Sequence, residues 1–170
     1  LKIIKKLNLK KYDITIDLLG EHLNNTKETD EVTNIYINLL DEINEQSLSS
    51  NISVKPTHIG LDLGIEEFYK NALKLVKKAE GLNNFIRFDM EHSDTTDDTI
   101  DVFKRIYKNH KNTGTVFQAY LKRTYNDIND MEEKINFRLC KGIYNENSSI
   151  AYKDKQKINE NYLRIAELAF

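Results

Sequence analysis

The sequence predicts an α/β fold with parallel strands, on three observations. Five β-branched or aromatic runs recur along the chain, and apolar residues at helical spacing follow them. The 170 residues, 39% of them apolar, suffice for one core in a single domain spanning 1–170. Strands separated by helices pair in parallel, because a parallel pair needs a crossover and a helix normally supplies it.

The first strand is placed near 13–19, where Asp13-Ile14-Thr15-Ile16-Asp17-Leu18-Leu19 alternates and Gly20 ends it. The next helix follows from Thr29, with Val32, Ile35, Tyr36, Leu39 and Ile43 on one face and Glu28, Asp30 and Glu31 suiting its N-terminus. A second strand near 51–55 centres on Ile52-Ser53-Val54-Lys55. Its helix carries Phe68, Ala72, Leu75 and Ala79 and stops at Lys77, Lys78 and Gly81. Phe85 to Met90 form the third strand, near 85–90, and Ile100, Phe103, Ile106 and Tyr107 share a helical face after Thr96. Strands near 115–120 and 135–140 flank a short polar helix around Ile128 and Met131. A last helix presents Ile158, Tyr162, Ile165 and Ala169.

Two arrangements satisfy this alternation. A doubly wound five-stranded sheet is complete at this length, whereas a (βα)8 barrel of about 250 residues would have only its first five units here. Composition narrows the function classes. The 25 basic and 27 acidic residues leave a net charge of -2, which excludes recruitment of nucleic acid by a long-range field. Cys140 is the single cysteine, so neither an internal disulfide nor a thiolate zinc cage can form, and a reducing, cytoplasmic compartment is expected. His22, His58, His92 and His110 have no metal-ligand spacing, and no metal is assigned. No run reaches the roughly 20 apolar residues that span a bilayer, so the chain reads as soluble. It begins with Leu1, which leads us to expect sequence upstream.

In parallel α/β proteins ligands sit at the carboxyl ends of strands, and here those ends are charged. They carry Asp17 and Glu21, Lys55 and His58, Asp89, Glu91 and His92, Gln118 and Arg123, and Arg138 and Lys141. A buried charge costs several kcal/mol unless paired, so repeated charge at strand ends points to a site. Each residue also has a plainer explanation. Lys55 suits a solvated loop as well as a ligand contact, and Asp89 suits a helix cap or a partner for arginine. Arg138 within Phe137-Arg138-Leu139 needs a carboxylate, a phosphate or an electron-rich ring. Gln118 can serve the sheet backbone, Met90 can fill core, Cys140 reads as a small buried hydrophobe, and Lys141-Gly142 alone is a poor phosphate signal.

Five ordered motifs together carry a specific signal: Asp17-Leu18-Leu19-Gly20-Glu21, Ile52-Ser53-Val54-Lys55 with Leu61-Asp62-Leu63, Phe88-Asp89-Met90-Glu91, Gln118-Ala119-Tyr120-Leu121, and Arg138-Leu139-Cys140-Lys141-Gly142-Ile143-Tyr144. In this order they resemble the bacterial flavin-dependent proline dehydrogenases, whose catalytic domain is a distorted (βα)8 barrel. The resemblance implies a TIM-type barrel with about five βα units in this chain. It further implies that Lys55 binds the carboxylate of L-proline, that Asp89 and Arg138 are catalytic, and that Arg138 lies beside the flavin. Met90, Gln118, Arg138, Lys141, Gly142 and Ile143 are implied to contact FAD. The implied reaction oxidises proline to 1-pyrroline-5-carboxylate and passes electrons to a quinone, with peripheral contact of the full enzyme at the inner membrane face. Asp17 and Glu21 are left as network residues.

The family's late Arg-Arg helix has no counterpart here, since no two arginines are consecutive. Strands six to eight are also expected to lie beyond this sequence, so the chain alone is expected to be inactive. Two other readings keep the same residues. Lys55 could be the Schiff-base lysine of an aldolase-type lyase, or the chain could be a non-enzymatic five-stranded α/β binding module.

Overall fold

Strand order decides between the two arrangements. The computed structural model describes residues 1–169. In it β1 (Ile14–Asp17), β2 (Ser50–Val54), β3 (Ile86–Phe88), β4 (Thr113–Gln118) and β5 (Phe137–Cys140) form one parallel sheet in the order β1-β2-β3-β4-β5. A doubly wound sheet reverses direction at a switch point, where its ligand binds. Here each strand pairs with the next and the order never reverses, which is the winding of successive units of a (βα)8 barrel. The doubly wound reading, and with it the open-sheet binding module, is therefore corrected.

Helices α2 (Thr26–Glu45), α3 (Ile65–Gly81) and α4 (Thr96–Tyr107) pack in sequence beside one another, as do α5 (Thr124–Asn129) and α6 (Lys155–Ala166). Helix α2 starts where the Asn25 side chain accepts a hydrogen bond of 2.9 Å from the Glu28 amide, and α6 where Asp154 does the same for Lys157. The buried stripe of α2 runs through Thr29, Thr33, Tyr36, Leu40 and Ile43. Ile35, expected on that face, is 50% exposed, because it lies one residue, or about 100° of helical turn, off the stripe. Ile52, Val54, Ile86 and Phe88 project from the sheet into a core shared with Tyr36, Phe68, Leu75 and Phe103. Phe68 meets Phe88 edge-on with ring centroids 5.8 Å apart, a favoured aromatic geometry. A second cluster gathers Phe117, Ala119, Ile128 and Ile165 under the end of the sheet.

Several element limits differ from expectation. The strands are trimmed to four residues at 14–17 and 137–140, and β4 starts two residues early, at Thr113, where the Thr113 hydroxyl donates to the Ile86 carbonyl. The polar helix ends at Asn129, which leaves Met131 beyond it, and α6 ends at Ala166, so Ala169 falls on a 3-10 turn. Cys140 is half-buried, with its thiol 3.4 Å from the Phe117 carbonyl. Helix α1 (Lys2–Asn8) was not expected; it buries no residue, so it leaves no core stripe to read. Asn8 ties it to the entrance of β2, donating to the Ser49 carbonyl and accepting from the Ser49 amide.

Register places the polar residues on one face. Asp17 pairs with Ser53, Ser53 with Arg87, Val116 with Arg138, and Gln118 with Cys140. Side chains alternate along a strand, so Lys55 and Asp89, two residues past Ser53 and Arg87, share that face, which is turned away from the helices. This is the face that lines a barrel interior, ordinarily layered with Val, Ile and Leu. Here polar and charged residues dominate it.

Candidate active site

At the carboxyl ends of the strands the side chains converge on Asp89, which is buried. The Ser53 hydroxyl donates to Asp89 Oδ1 at 2.5 Å, and Arg138 Nη2 donates to the same oxygen at 2.7 Å. Lys55 Nζ approaches the other oxygen, Oδ2, at 3.4 Å, and lies 3.6 Å from Glu21 Oε1. One carboxylate thus bridges two cations brought by β2 and β5. Burial alone would lower the Lys55 pKa, but Asp89, Asp17 and Glu21 outweigh it and leave the amine above the ordinary lysine value. A Schiff-base lysine must be neutral to attack, so this charge set argues against the lyase reading. Asp17 shifts upward, chiefly because burial penalises its charge, with Lys55 opposing.

A second layer holds the loops that carry these groups. The Glu91 carboxylate is 1% exposed and accepts from the Thr57 amide at 2.9 Å and the Thr57 hydroxyl at 2.7 Å. Burial raises its pKa and the two Thr57 bonds oppose the rise. Thr57 Oγ1 also accepts from the His22 amide, and the Thr57 carbonyl from the Leu23 amide, so the loop after β1 is fastened to the loop after β2. His58 is buried with its ring against Gly20, and its Nδ1 has no hydrogen-bond partner among the described residues. Tyr144, after β5, donates to Glu21 at 3.3 Å and meets the His92 ring at a tilt of 48° with centroids 4.1 Å apart. Beneath them the Tyr36 hydroxyl accepts from the Leu18 amide at 3.2 Å and reaches Asp17 at 3.5 Å.

The remaining candidates line the β3 to β5 end. Gln118 Nε2 donates to the carbonyls of Met90 (2.9 Å) and Glu91 (2.8 Å), which fixes the amide, while its buried Oε1 has no donor among the described residues. A buried acceptor without a donor is costly, so this end of the sheet suits a ligand N–H. The Met90 side chain lies in the second core cluster. Lys141 and Ile143 are exposed and flank Gly142, whose φ is +104° and whose α-carbon faces the Tyr120 ring. The structure therefore brings Lys55, Asp89 and Arg138 together and sets Gln118 and Lys141 to Ile143 beside them. It gives Arg123 to Asp97 and Asp127 instead. No group of three or more His, Cys, Asp or Glu side chains is placed to hold a metal ion among the described residues.

The family model described as "Proline dehydrogenase" matches residues 1–170. The chain belongs to the proline dehydrogenase family. It is 36% identical over 163 residues to proline dehydrogenase 2 of Bacillus subtilis (strain 168), covering 95% of this chain and 54% of that one. With proline dehydrogenase 1 of the same organism it shares 32% identity over 168 residues, 98% of this chain and 56% of the relative. The chain thus spans about half the length of the curated relatives it matches. The solved structure of proline utilization A from Bdellovibrio bacteriovorus, inactivated by N-propargylglycine, superposes with a TM-score of 0.88 at 22% identity, over 98% of this chain and 22% of that one. The Bradyrhizobium japonicum protein superposes at 0.75 with 18% identity, over 91% of this chain and 20% of that one. These likenesses show the barrel fold of the proline dehydrogenase family, of which this chain forms a partial barrel.

Strand-end position drew attention to Lys55, Asp89 and Arg138 but left a plainer explanation open for each, and their roles came from the family resemblance. Position missed Ser53, Thr57 and Tyr36, which are uncharged residues in apolar runs. For Ser53 a signal was present, because a hydroxyl between Ile52 and Val54 sits on the opposite face from both.

Proposed function

We propose that the protein containing this chain oxidises L-proline to 1-pyrroline-5-carboxylate with FAD as cofactor and a quinone as electron acceptor. The observation that carries this reading is the Lys55–Asp89–Arg138 cluster at the strand ends of a proline dehydrogenase family barrel. Bound FAD supplies a hydride acceptor for the carbon beside the proline nitrogen. Lys55, held as a cation by its three acidic neighbours, offers a charge to the substrate carboxylate, and Glu21 and Asp89 keep its amine at the strand end. Arg138 spends one guanidinium nitrogen on Asp89 and is otherwise half-exposed, which leaves a fixed cation to stabilise negative charge on an adjacent reduced ring. Gln118 Oε1, without a donor among the described residues, would accept a ring N–H, with Met90, whose carbonyl holds the Gln118 amide, and Lys141-Gly142-Ile143, which follow Cys140 beside Gln118, as the further contacts. The unpaired acceptor and the half-exposed arginine fit a flavin.

A quinone acceptor is carried in lipid, so the reading includes work in the cytoplasm with peripheral contact at the inner membrane face. No helix among the described residues is long and apolar enough to cross a membrane. The test uses the complete protein. It should purify yellow and bleach on adding proline. Lys55→Ala should raise KM for proline at least tenfold with flavin retained, and Arg138→Met should slow flavin reduction or weaken FAD binding. Absence of flavin absorbance, or parent-like behaviour of both variants, refutes the assignment.

A further inference from the structure

We propose that Ser53 is a positioning residue whose hydroxyl keeps Asp89 from closing a two-pronged pair with Arg138; the proposal rests on the proline-oxidation reading above. A guanidinium facing a carboxylate ordinarily takes both oxygens through two parallel N–H bonds, and that fork is the strongest geometry the pair can adopt. Here it does not form. Arg138 Nη2 reaches only Oδ1, at 2.7 Å, while Oδ2 points to Lys55 Nζ at 3.4 Å. What distinguishes the two oxygens is Ser53, 2% exposed on β2, which donates to Oδ1 at 2.5 Å; in the sheet order β2 lies on one side of β3 and β5, with Arg138, on the other.

A hydroxyl fixed on a strand is a short, stiff anchor. It sets the rotation of the carboxylate, because turning Asp89 to present both oxygens to Arg138 would break the Ser53 bond and leave a buried hydroxyl unpaired. The consequence reaches both cations. Lys55 keeps an acidic partner on its own side, and Arg138 keeps its remaining donors free. Without the hydroxyl, Asp89 turns and captures Arg138, and the cation is withdrawn from the place where negative charge develops.

The test compares the parent, Ser53→Ala and Ser53→Thr in the complete, flavin-loaded protein. Ser53→Ala should lower kcat for proline about tenfold with KM changed less, and Ser53→Thr, which restores a hydroxyl, should recover most of it. The flavin midpoint potential should fall in Ser53→Ala, by about 30 mV if the reduced form loses tenfold in stabilisation in a two-electron couple. In an Asp89→Ala background, adding Ser53→Ala should change neither quantity. A crystal structure of Ser53→Ala should show Asp89 engaging Arg138 through both oxygens. An unmoved Asp89 overturns the proposal, as does a variant that loses only melting temperature while potential and kcat stay at the parent's values. A parent that fails to oxidise proline overturns the functional reading instead, and the variant's structure still decides the role of Ser53.

Discussion

Gly142→Ala and Gly81→Ala are the same chemical change with opposite expected signs. At Gly142 an added methyl carbon would lie 2.1 Å from Cδ1 and 2.4 Å from Cε1 of Tyr120. Tyr120 has little freedom to retreat, since its amide donates to the Lys141 carbonyl and its own carbonyl accepts from the Tyr152 amide, both at 2.8 Å. The backbone at φ +104° adds a further cost, because an L side chain seldom occupies that region. Conformational strain of about 1–3 kcal/mol and overpacking of about 1–3 kcal/mol together give a loss of roughly 2–6 kcal/mol, against a typical total of about 5–15 kcal/mol. Gly81 closes α3 with open space around its α-carbon, and alanine there should gain up to about 1 kcal/mol in helix propensity. Urea unfolding of each variant, compared at unchanged slope, measures both. A Gly142→Ala protein within about 0.5 kcal/mol of the parent, the range of an ordinary surface substitution, refutes the close-approach argument. A destabilised Gly81→Ala refutes the use of local space to predict sign.

Two further outcomes follow from the core and from burial of a titratable ring. Phe88→Ala should cost about 3–5 kcal/mol, the usual range for removing a buried aromatic, and should also disturb Asp89 next to it; a loss under about 1 kcal/mol would contradict the core described. Burial lowers the His58 pKa, with Asp17 and Glu21 favouring the charged ring and Lys55 opposing it. A depressed histidine pKa contributes stability that is present above about 6.5 and lost as pH falls through the folded-state value. The advantage in melting temperature of the parent over His58→Gln should therefore shrink between pH 7.5 and pH 5.5, and an equal advantage at both values would refute it.

The order of strands and helices was legible because each helix buries a stripe, and Phe68, Ala72, Leu75 and Ala79 show that stripe without help. The sheet's winding was legible only through the five ordered motifs and the family they resemble. Whether β3 pairs with β2 alone or β1 slips between them depends on how successive helices pack, and no single run of residues records it. The charged members of the site were readable as candidates because a buried charge needs a partner, but each also had a structural explanation, and the motifs in order decided between them. Their relations were hidden: that Asp89 serves Lys55 and Arg138 with different oxygens depends on Ser53, 36 residues earlier in the chain. Helix α1 stayed invisible for the opposite reason, since an element that buries nothing leaves no periodic signal.

Parallel strands buried on both faces read as continuous apolar runs, and these do not. Their alternation puts Asp17, Ser53, Lys55, Arg87, Asp89 and Arg138 on the face away from the helices, a face that a filled barrel normally gives to aliphatic side chains. Arg87 is occupied there, donating to the Thr115 carbonyl at 3.2 Å and to Asn136 at 2.9 Å, so it acts as a strut beneath the cluster. Above it, Lys55 faces three carboxylates, Asp89, Glu21 and Asp17, while Arg138 shares Asp89 alone, so the acidic excess gathers around the lysine and keeps its amine charged although burial opposes it.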